Sequence, residues 1–325
     1  MPYRVTEYRA PAWLPGGDLQ TIYPYFFAPV PRMDYRRERW ELPDGDFLDL
    51  DWLDADADAD APLVVLFHGL EGNSRGYYAL AMMDAVRQRG WRGVVVHFRG
   101  CSGEPNRLPR AYFAGDSAEI DYVLKRLRLE NDHAALHAAG VSLGGNALLK
   151  WLGDEGENAM SVINRAVAIS APLDLTVAGH SLDKGFNRFS YTARFLYTLK
   201  QKALQKLDAY PGLYARQQVK AVSSLYAFDD LVTAPLHGYQ SADDYWLRAS
   251  SKPGLIYVQV PTLLINARND PFMPGSALPG PDEVSTAVTL EFPAEGGHVG
   301  FLEGPFPGTV NWMPQRTLGF FETGQ

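Results

Sequence analysis

The sequence predicts an α/β protein: a mostly parallel central sheet with helices on both faces, interrupted by a helical insertion. Three observations carry this. Between residues 63 and 170, short apolar runs of buried-strand type alternate with segments of helical spacing, the mark of crossover connections and parallel pairing. From about residue 173 to 257 the alternation stops, and the pattern is helical and rich in aromatics. It resumes at residues 261–266 and 288–292. The expected division is a discontinuous α/β core, residues 1–172 and 258–325, with residues 173–257 inserted as a helical cap.

The elements follow from local pattern. Residues 11–31, rich in proline and aromatics, read as a segment lying on a surface. Pro43-Asp44-Gly45-Asp46 is a turn, and beyond it Leu48, Leu50 and Trp52 alternate with Asp49 and Asp51, which predicts a strand with one wet face. Residues 54–60 alternate Asp and Ala; no turn-forming glycine or bidentate glutamate makes them a calcium loop, so they read as a solvated acidic loop. Strands are expected at 63–67, 93–98, 134–141, 166–170, 261–266 and 288–292. Helices are expected at 77–89, 116–128, from 146 to 152, and at 315–323.

Composition bounds the function. Hydrophobic residues are 46% of the 325, enough for a sizeable core, and charged residues are 21%. With 38 Asp and Glu against 30 Lys and Arg the net charge is −8, which argues against a nucleic-acid partner. Cys101 is the only cysteine, so neither an internal disulfide nor a thiolate-rich metal site is available. It reads as a buried small residue after a strand, with no basic group obviously placed to activate it. The first residues carry charges where a secretion signal needs an apolar core, and the apolar run at 63–67 is far shorter than the roughly 20 residues of a membrane helix. The expectation is a cytoplasmic protein.

Chemistry concentrates at Gly140-Val141-Ser142-Leu143-Gly144. This is Gly-x-Ser-x-Gly between a predicted strand and a predicted helix, the context in which the serine sits on a sharp, strained turn at a helix N-terminus. A serine hydroxyl needs a base, and the base needs an orienting group. Of His68, His97, His133, His137, His180, His237 and His298, the chain order Ser–acid–His leaves His180, His237 and His298. The first two fall in the insertion, whereas His298 follows the last predicted strand in a run of small residues. The acid is expected at the end of the preceding strand, at Asp270, with Asp229 and Asp230 as rivals inside the insertion. Two backbone N–H groups are expected to receive an oxyanion, that of Leu143 after the nucleophile and that of Leu70 in His68-Gly69-Leu70-Glu71-Gly72.

These motifs resemble the α/β-hydrolases, and more narrowly their YheT-like branch, which includes the eukaryotic abhydrolase-domain lipases and esterases. The matching segments are Asp18-Leu19-Gln20-Thr21, His68 to Gly72, Arg99-Gly100-Cys101-Ser102-Gly103, Gly140 to Asn146, Asp229-Asp230, Asn269-Asp270-Pro271 and Gly297-His298-Val299-Gly300, in order across nearly the whole chain. Asp18 departs from the pattern, where a histidine is expected. The resemblance implies a Ser142–Asp270–His298 hydrolase acting on small-molecule or lipid carboxylic esters, without metal or organic cofactor. Acyl transfer on the same triad and a non-enzymatic ligand-binding role are the alternatives. One further expectation concerns the cap. Lys184, Arg188, Arg194, Lys200, Lys202 and Lys206 accompany an apolar stripe of Phe195, Leu196, Leu199, Ala203 and Leu207, a pattern suited to peripheral contact with an anionic membrane.

Overall fold

A computed structural model describes residues 8–53 and 57–324. The charged N-terminal run and the first three residues of the acidic loop lie outside them. Eight strands form one sheet in the order β1-β2-β4-β3-β5-β6-β7-β8. They are β1 (Arg36–Glu41), β2 (Phe47–Leu53), β3 (Leu63–Phe67), β4 (Arg92–His97), β5 (Leu136–Val141), β6 (Arg165–Ile169), β7 (Thr262–Ile265) and β8 (Val288–Glu291). β1 and β2 pair antiparallel, β2 meets β4 antiparallel, and every pairing from β4 to β8 is parallel. The central strands are apolar on both sides because helices cover both faces. On one face α3 (Ser117–Glu130) and α4 (Leu143–Glu155) bury Ile120, Leu124, Leu148 and Trp151. On the other, α2 (Tyr77–Gln88) and α12 (Trp312–Thr323) bury Met82, Val86, Leu318 and Phe321.

Three features differ from the sequence reading. The segment at 11–31 is not merely draped on the surface: it contains α1 (Gly17–Phe27), whose Gln20, Thr21 and Pro24 are buried. β1 (Arg-Arg-Glu-Arg-Trp-Glu) carries no apolar alternation and was not expected. It explains the third difference. The predicted wet face of β2 is dry, with Asp49 and Asp51 each only 2% exposed. Across the ladder Arg37 faces Asp51 and Arg39 faces Asp49, each guanidinium bonding both carboxylate oxygens at 2.7–2.9 Å. His97 Nε2 at 3.0 Å and Ser74 Oγ at 2.5 Å also bond Asp51. Burial opposes ionisation there, but the bonds from Arg37, His97 and Ser74 win and hold the carboxyl well below its ordinary range.

Between β6 and β7 the chain is helical: α5 (Leu175–Leu182), α6 (Gly185–Asn187), α7 (Ala193–Ala209), α8 (Arg216–Ala221), α9 (Leu225–Phe228), α10 (Ala234–Leu236) and α11 (Ala242–Ala249). These helices share an apolar cluster that includes Leu196, Ala203, Val219, Phe228 and, from the core, Phe272. The stripe of α7 expected to meet lipid is therefore turned inward, with Leu196, Ala203 and Leu207 buried. Lys202 and Lys206 also turn inward, Lys202 onto Glu71 and Lys206 onto the carbonyls of Asn106 and Leu108. Among the described residues no helix is long and apolar enough to cross a membrane.

Candidate active site

Ser142 stands between β5 and α4 with φ 52° and ψ −120°, a strained conformation for a side-chain-bearing residue. The flanking glycines permit it. A Cβ on Gly144 would lie 2.5 Å from the carbonyl oxygens of Phe67 and His68, and one on Gly140 would lie 2.5 Å from that of Gly144. The turn aims Ser142 Oγ at His298 Nε2, 2.9 Å away. His298 Nδ1 is 2.8 Å from Asp270 Oδ2, and the other oxygen of Asp270 accepts the Phe272 N–H at 2.8 Å. Asp270 and His298 are both buried, and the Phe272 ring stacks on the imidazole with centroids 3.9 Å apart. A buried carboxylate on Nδ1 selects the tautomer that leaves Nε2 free to take a proton from the serine.

The three predicted side chains thus meet, and their rivals stand elsewhere. Asp229 accepts from Thr233 Oγ1 at 2.6 Å and Trp246 Nε1 at 2.7 Å, and burial pushes its carboxyl up to about 6. Asp230 accepts the N–H of Ala242 at the start of α11. His180 packs against Tyr226 and Trp246, and His237 lies against Phe113. Asp18, the departure from the family pattern, accepts from Tyr191 of the helical stretch between β6 and β7 at 2.9 Å and takes no part in the Ser–His–Asp hydrogen bonds.

The loop after β3 carries the Leu70 N–H expected as the second oxyanion donor. Gly69 N–H bonds Tyr78 Oη at 3.0 Å, Glu71 N–H bonds Tyr112 Oη at 2.8 Å, and Gly72 N–H bonds the Gly69 carbonyl at 2.9 Å. Among the described residues the Leu70 N–H has no such partner, and it belongs to the loop whose Gly69 packs on Ser142. The Leu143 N–H heads α4, where no helical carbonyl precedes it. His68 braces the loop: its Nδ1 is 2.7 Å from the Gly69 carbonyl and its Nε2 accepts the Phe98 N–H at 3.1 Å. That ring is neutral, since burial lowers its pKa to about 3.

Sequence reasoning missed Tyr78, Tyr112 and Ser170, whose Oγ accepts the Val299 N–H at 3.1 Å. Tyr78 reads only as a residue of the helix now seen as α2, and a lone tyrosine or serine outside regular elements, as at 112 and 170, carries no pattern, so no local signal marks their roles. The view of Cys101 needs one correction. It is buried as expected, but a basic group does stand beside it, Lys202 Nζ at 3.3 Å from Sγ. Burial nonetheless pushes the thiol up to about 11, so it stays protonated. Lys202 also bonds Glu71 Oε1 at 2.7 Å, and the same oxygen accepts from Tyr112 at 2.7 Å. The helical stretch between β6 and β7 is thereby tied to the loop that carries Leu70.

A cavity of about 850 Å³ opens on Ser142 and His298. Leu182, Phe195, Phe228, Trp246 and Phe272 give it apolar walls, and Glu71 and Lys202 sit within it. A serine hydroxyl bonded to an imidazole, a carboxylate on the far side of that imidazole and unpartnered backbone N–H groups beside an apolar cavity make a geometry on which acyl transfer can run. Residues 62–305 match the family described as the alpha/beta hydrolase fold. The chain belongs to that family, in its YheT-like branch. YheT of Escherichia coli (strain K12), named as a candidate esterase, is 42% identical over 308 residues, covering 94% of this chain and 90% of its own. Phospholipase ABHD3 of Homo sapiens is 33% identical over 327 residues, covering 95% of this chain and 77% of its own. Among solved structures, the Pyrococcus furiosus esterase Pf2001 shares the fold with a TM-score of 0.56 at 16% identity, over 90% of this chain and 96% of that one.

Proposed function

We propose that this protein hydrolyses carboxylic esters through an acyl-enzyme on Ser142. The observation that carries the reading is the pair of hydrogen bonds at His298, 2.9 Å to Ser142 and 2.8 Å to Asp270. Ser142 Oγ attacks the ester carbonyl as His298 Nε2 takes its proton. The tetrahedral oxyanion accepts from the N–H groups of Leu70 and Leu143. Collapse expels the alcohol, which receives the proton from His298. Water then attacks the acyl-enzyme with His298 again as base, releasing the carboxylic acid and free Ser142. Asp270 holds the imidazole tautomer and stabilises the imidazolium between the two halves. These steps call for no metal or organic cofactor.

Residues 173–257 act in this reading as the cap that closes an acyl pocket over a core of residues 1–172 and 258–325. The apolar walls suit the acyl chain of a short- or medium-chain ester or an acylglycerol, and the names borne by the relatives, an esterase and a phospholipase, point the same way. The test is a series of p-nitrophenyl esters of increasing chain length, run on the wild type and on Ser142→Ala. Hydrolysis by the wild type with a preferred chain length, absent in the variant, supports the reading. Equal turnover by both proteins overturns it. Analysis of products in the presence of an added alcohol separates hydrolysis from acyl transfer, which shares the first half of the cycle.

A further inference from the structure

The loop that carries His298 is poorly suited to hold itself. Gly296, Gly297, Val299 and Phe301 all have positive φ, 145°, 60°, 61° and 38°. For β-branched Val299 and bulky Phe301 this region is unfavourable, and such residues stay there only when their surroundings over-determine the backbone. Residues 297–301 form neither helix nor strand after β8; a turn closes them, with the Phe301 N–H bonding the Gly296 carbonyl at 3.0 Å.

What surrounds it is α1. Gln20, 1% exposed, places its Oε1 between two donors, the Gly296 N–H and Asn269 Nδ2, both at 2.9 Å. Its Nε2 donates to the Leu14 carbonyl at 2.9 Å and faces Glu295 Oε1 at 3.3 Å. Asn269 adjoins Asp270 in sequence, and its Oδ1 accepts the Gly297 N–H at 2.9 Å. At the next residue of α1, Thr21 Oγ1 donates to the Gly17 carbonyl at 2.7 Å and accepts the N–H of His298 itself at 2.8 Å. The backbones are in direct contact, since a Cβ on Gly300 would lie 2.1 Å from the Gln20 carbonyl oxygen. Gln20 thus joins the loop of the acid to the loop of the base, and Thr21 holds His298 itself, from 276 and 277 residues away in the chain.

We propose that Gln20 and Thr21 are positioning residues for the reaction. They form a clamp that fixes His298 between Asp270 and Ser142 without touching the substrate. The inference rests on the triad reading above. Removing the Thr21 hydroxyl leaves the His298 N–H without an acceptor and frees the loop to shift. The base then loses alignment with Oγ while the acyl pocket, built by other residues, is unchanged.

The test compares Thr21→Val, Gln20→Leu and Thr21→Ser with the wild type and with Ser142→Ala, on a p-nitrophenyl ester. Thr21→Val and Gln20→Leu are each expected to lower kcat roughly 10- to 100-fold with KM changed less than about threefold, since sub-ångström misalignment acts on the chemical step. Thr21→Ser, which keeps the acceptor, is expected to restore kcat to within about threefold of wild type. The low-field proton resonance of His298 Nδ1–H, sensitive to its bond to Asp270, is expected to shift or broaden in Thr21→Val and to return in Thr21→Ser. Wild-type kcat and an unmoved resonance in folded Thr21→Val and Gln20→Leu would overturn the clamp. So would a loss that Thr21→Ser does not relieve. An active Ser142→Ala would instead overturn the triad reading, so the two failures are distinguishable.

Discussion

The two sides of the site are built by opposite means. Ser142 is held by its own neighbourhood: Gly140, Gly144 and the first turn of α4 set its strained turn, and β5 supplies the rigid base. His298 is held by strangers. Its loop after β8 has positive φ at four positions and is strained at two of them, Val299 and Phe301, and its brackets come from Gln20 and Thr21 in α1, Ser170 after β6, and Tyr77 Oη, which bonds the Val299 carbonyl at 3.2 Å. A locally built half resists distant change and fails when its own few residues change. A remotely braced half can be disabled far from the chemistry.

The largest expected effect treats the halves as one unit. Ser142→Ala should lower ester hydrolysis roughly 10³-fold or more, and Ser142→Ala/His298→Ala should be scarcely worse than the single variant. Steady-state rates on a soluble ester measure both. Strictly additive losses would mean that the two residues act separately.

Next comes the local half by itself. Gly144→Val forces a branched side chain against the Phe67 and His68 carbonyls, a contact that cannot relax because both belong to backbone. Overpacking of this kind costs about 1–3 kcal/mol, so a melting temperature lowered by several degrees together with lost turnover is expected. A variant with unchanged melting and turnover would show that the elbow is less tightly packed than described.

A smaller effect comes from acid. Burial lowers the pKa of His68 to about 3 and of His137 and His237 to about 4, against 6.5 for an ordinary imidazole. Between those values the unfolded chain binds protons that the folded one refuses. The contribution of the three rings is therefore complete above pH 6.5 and is lost as pH falls towards their folded values. Urea midpoints taken between pH 7.5 and 4.5 should fall with pH, and His68→Gln, which removes the ring beneath the Leu70 loop, should flatten part of that slope. A midpoint indifferent to pH across this range would contradict the buried neutral rings.

The smallest effect belongs to the helical stretch between β6 and β7. Asp229 has a folded pKa raised to about 6 by burial, so its contribution runs the other way, present at low pH and lost as pH rises through about 6. Asp229→Asn should raise the melting temperature more at pH 8 than at pH 5. The same increment at both would mean that the carboxyl is not ionising there.

The same contrast explains what could be read from the sequence. The elbow was legible because all its determinants lie within five residues and their spacing has a mechanical reason. Asp270 and His298 were legible through chain order and their places after predicted strands. The central parallel strands were legible because burial on both faces makes them continuous apolar runs. β1 was not, since its arginines acquire meaning only opposite Asp49 and Asp51 of β2, and those aspartates, lacking visible partners, read as solvent-facing. α1 was hidden by its internal Pro24, the prolines around it and its exposed aromatics, although Leu19-Gln20-Thr21 belongs to a recognisable motif. Its two buried polar side chains find their partners only when the far end of the chain folds back onto them. The inward turn of Lys202 and Lys206 was likewise invisible, because a helix's pattern does not say which neighbour covers it.

The central claim is that Ser142 is a nucleophile activated by His298. The most direct measurement is reaction of the folded protein with a fluorophosphonate, followed by intact-mass and peptide mass spectrometry. The account predicts a single adduct, on the peptide containing Ser142, formed rapidly by the wild type, far more slowly by His298→Ala and not at all by Ser142→Ala. An unlabelled wild type, or an adduct that persists in Ser142→Ala, would contradict it.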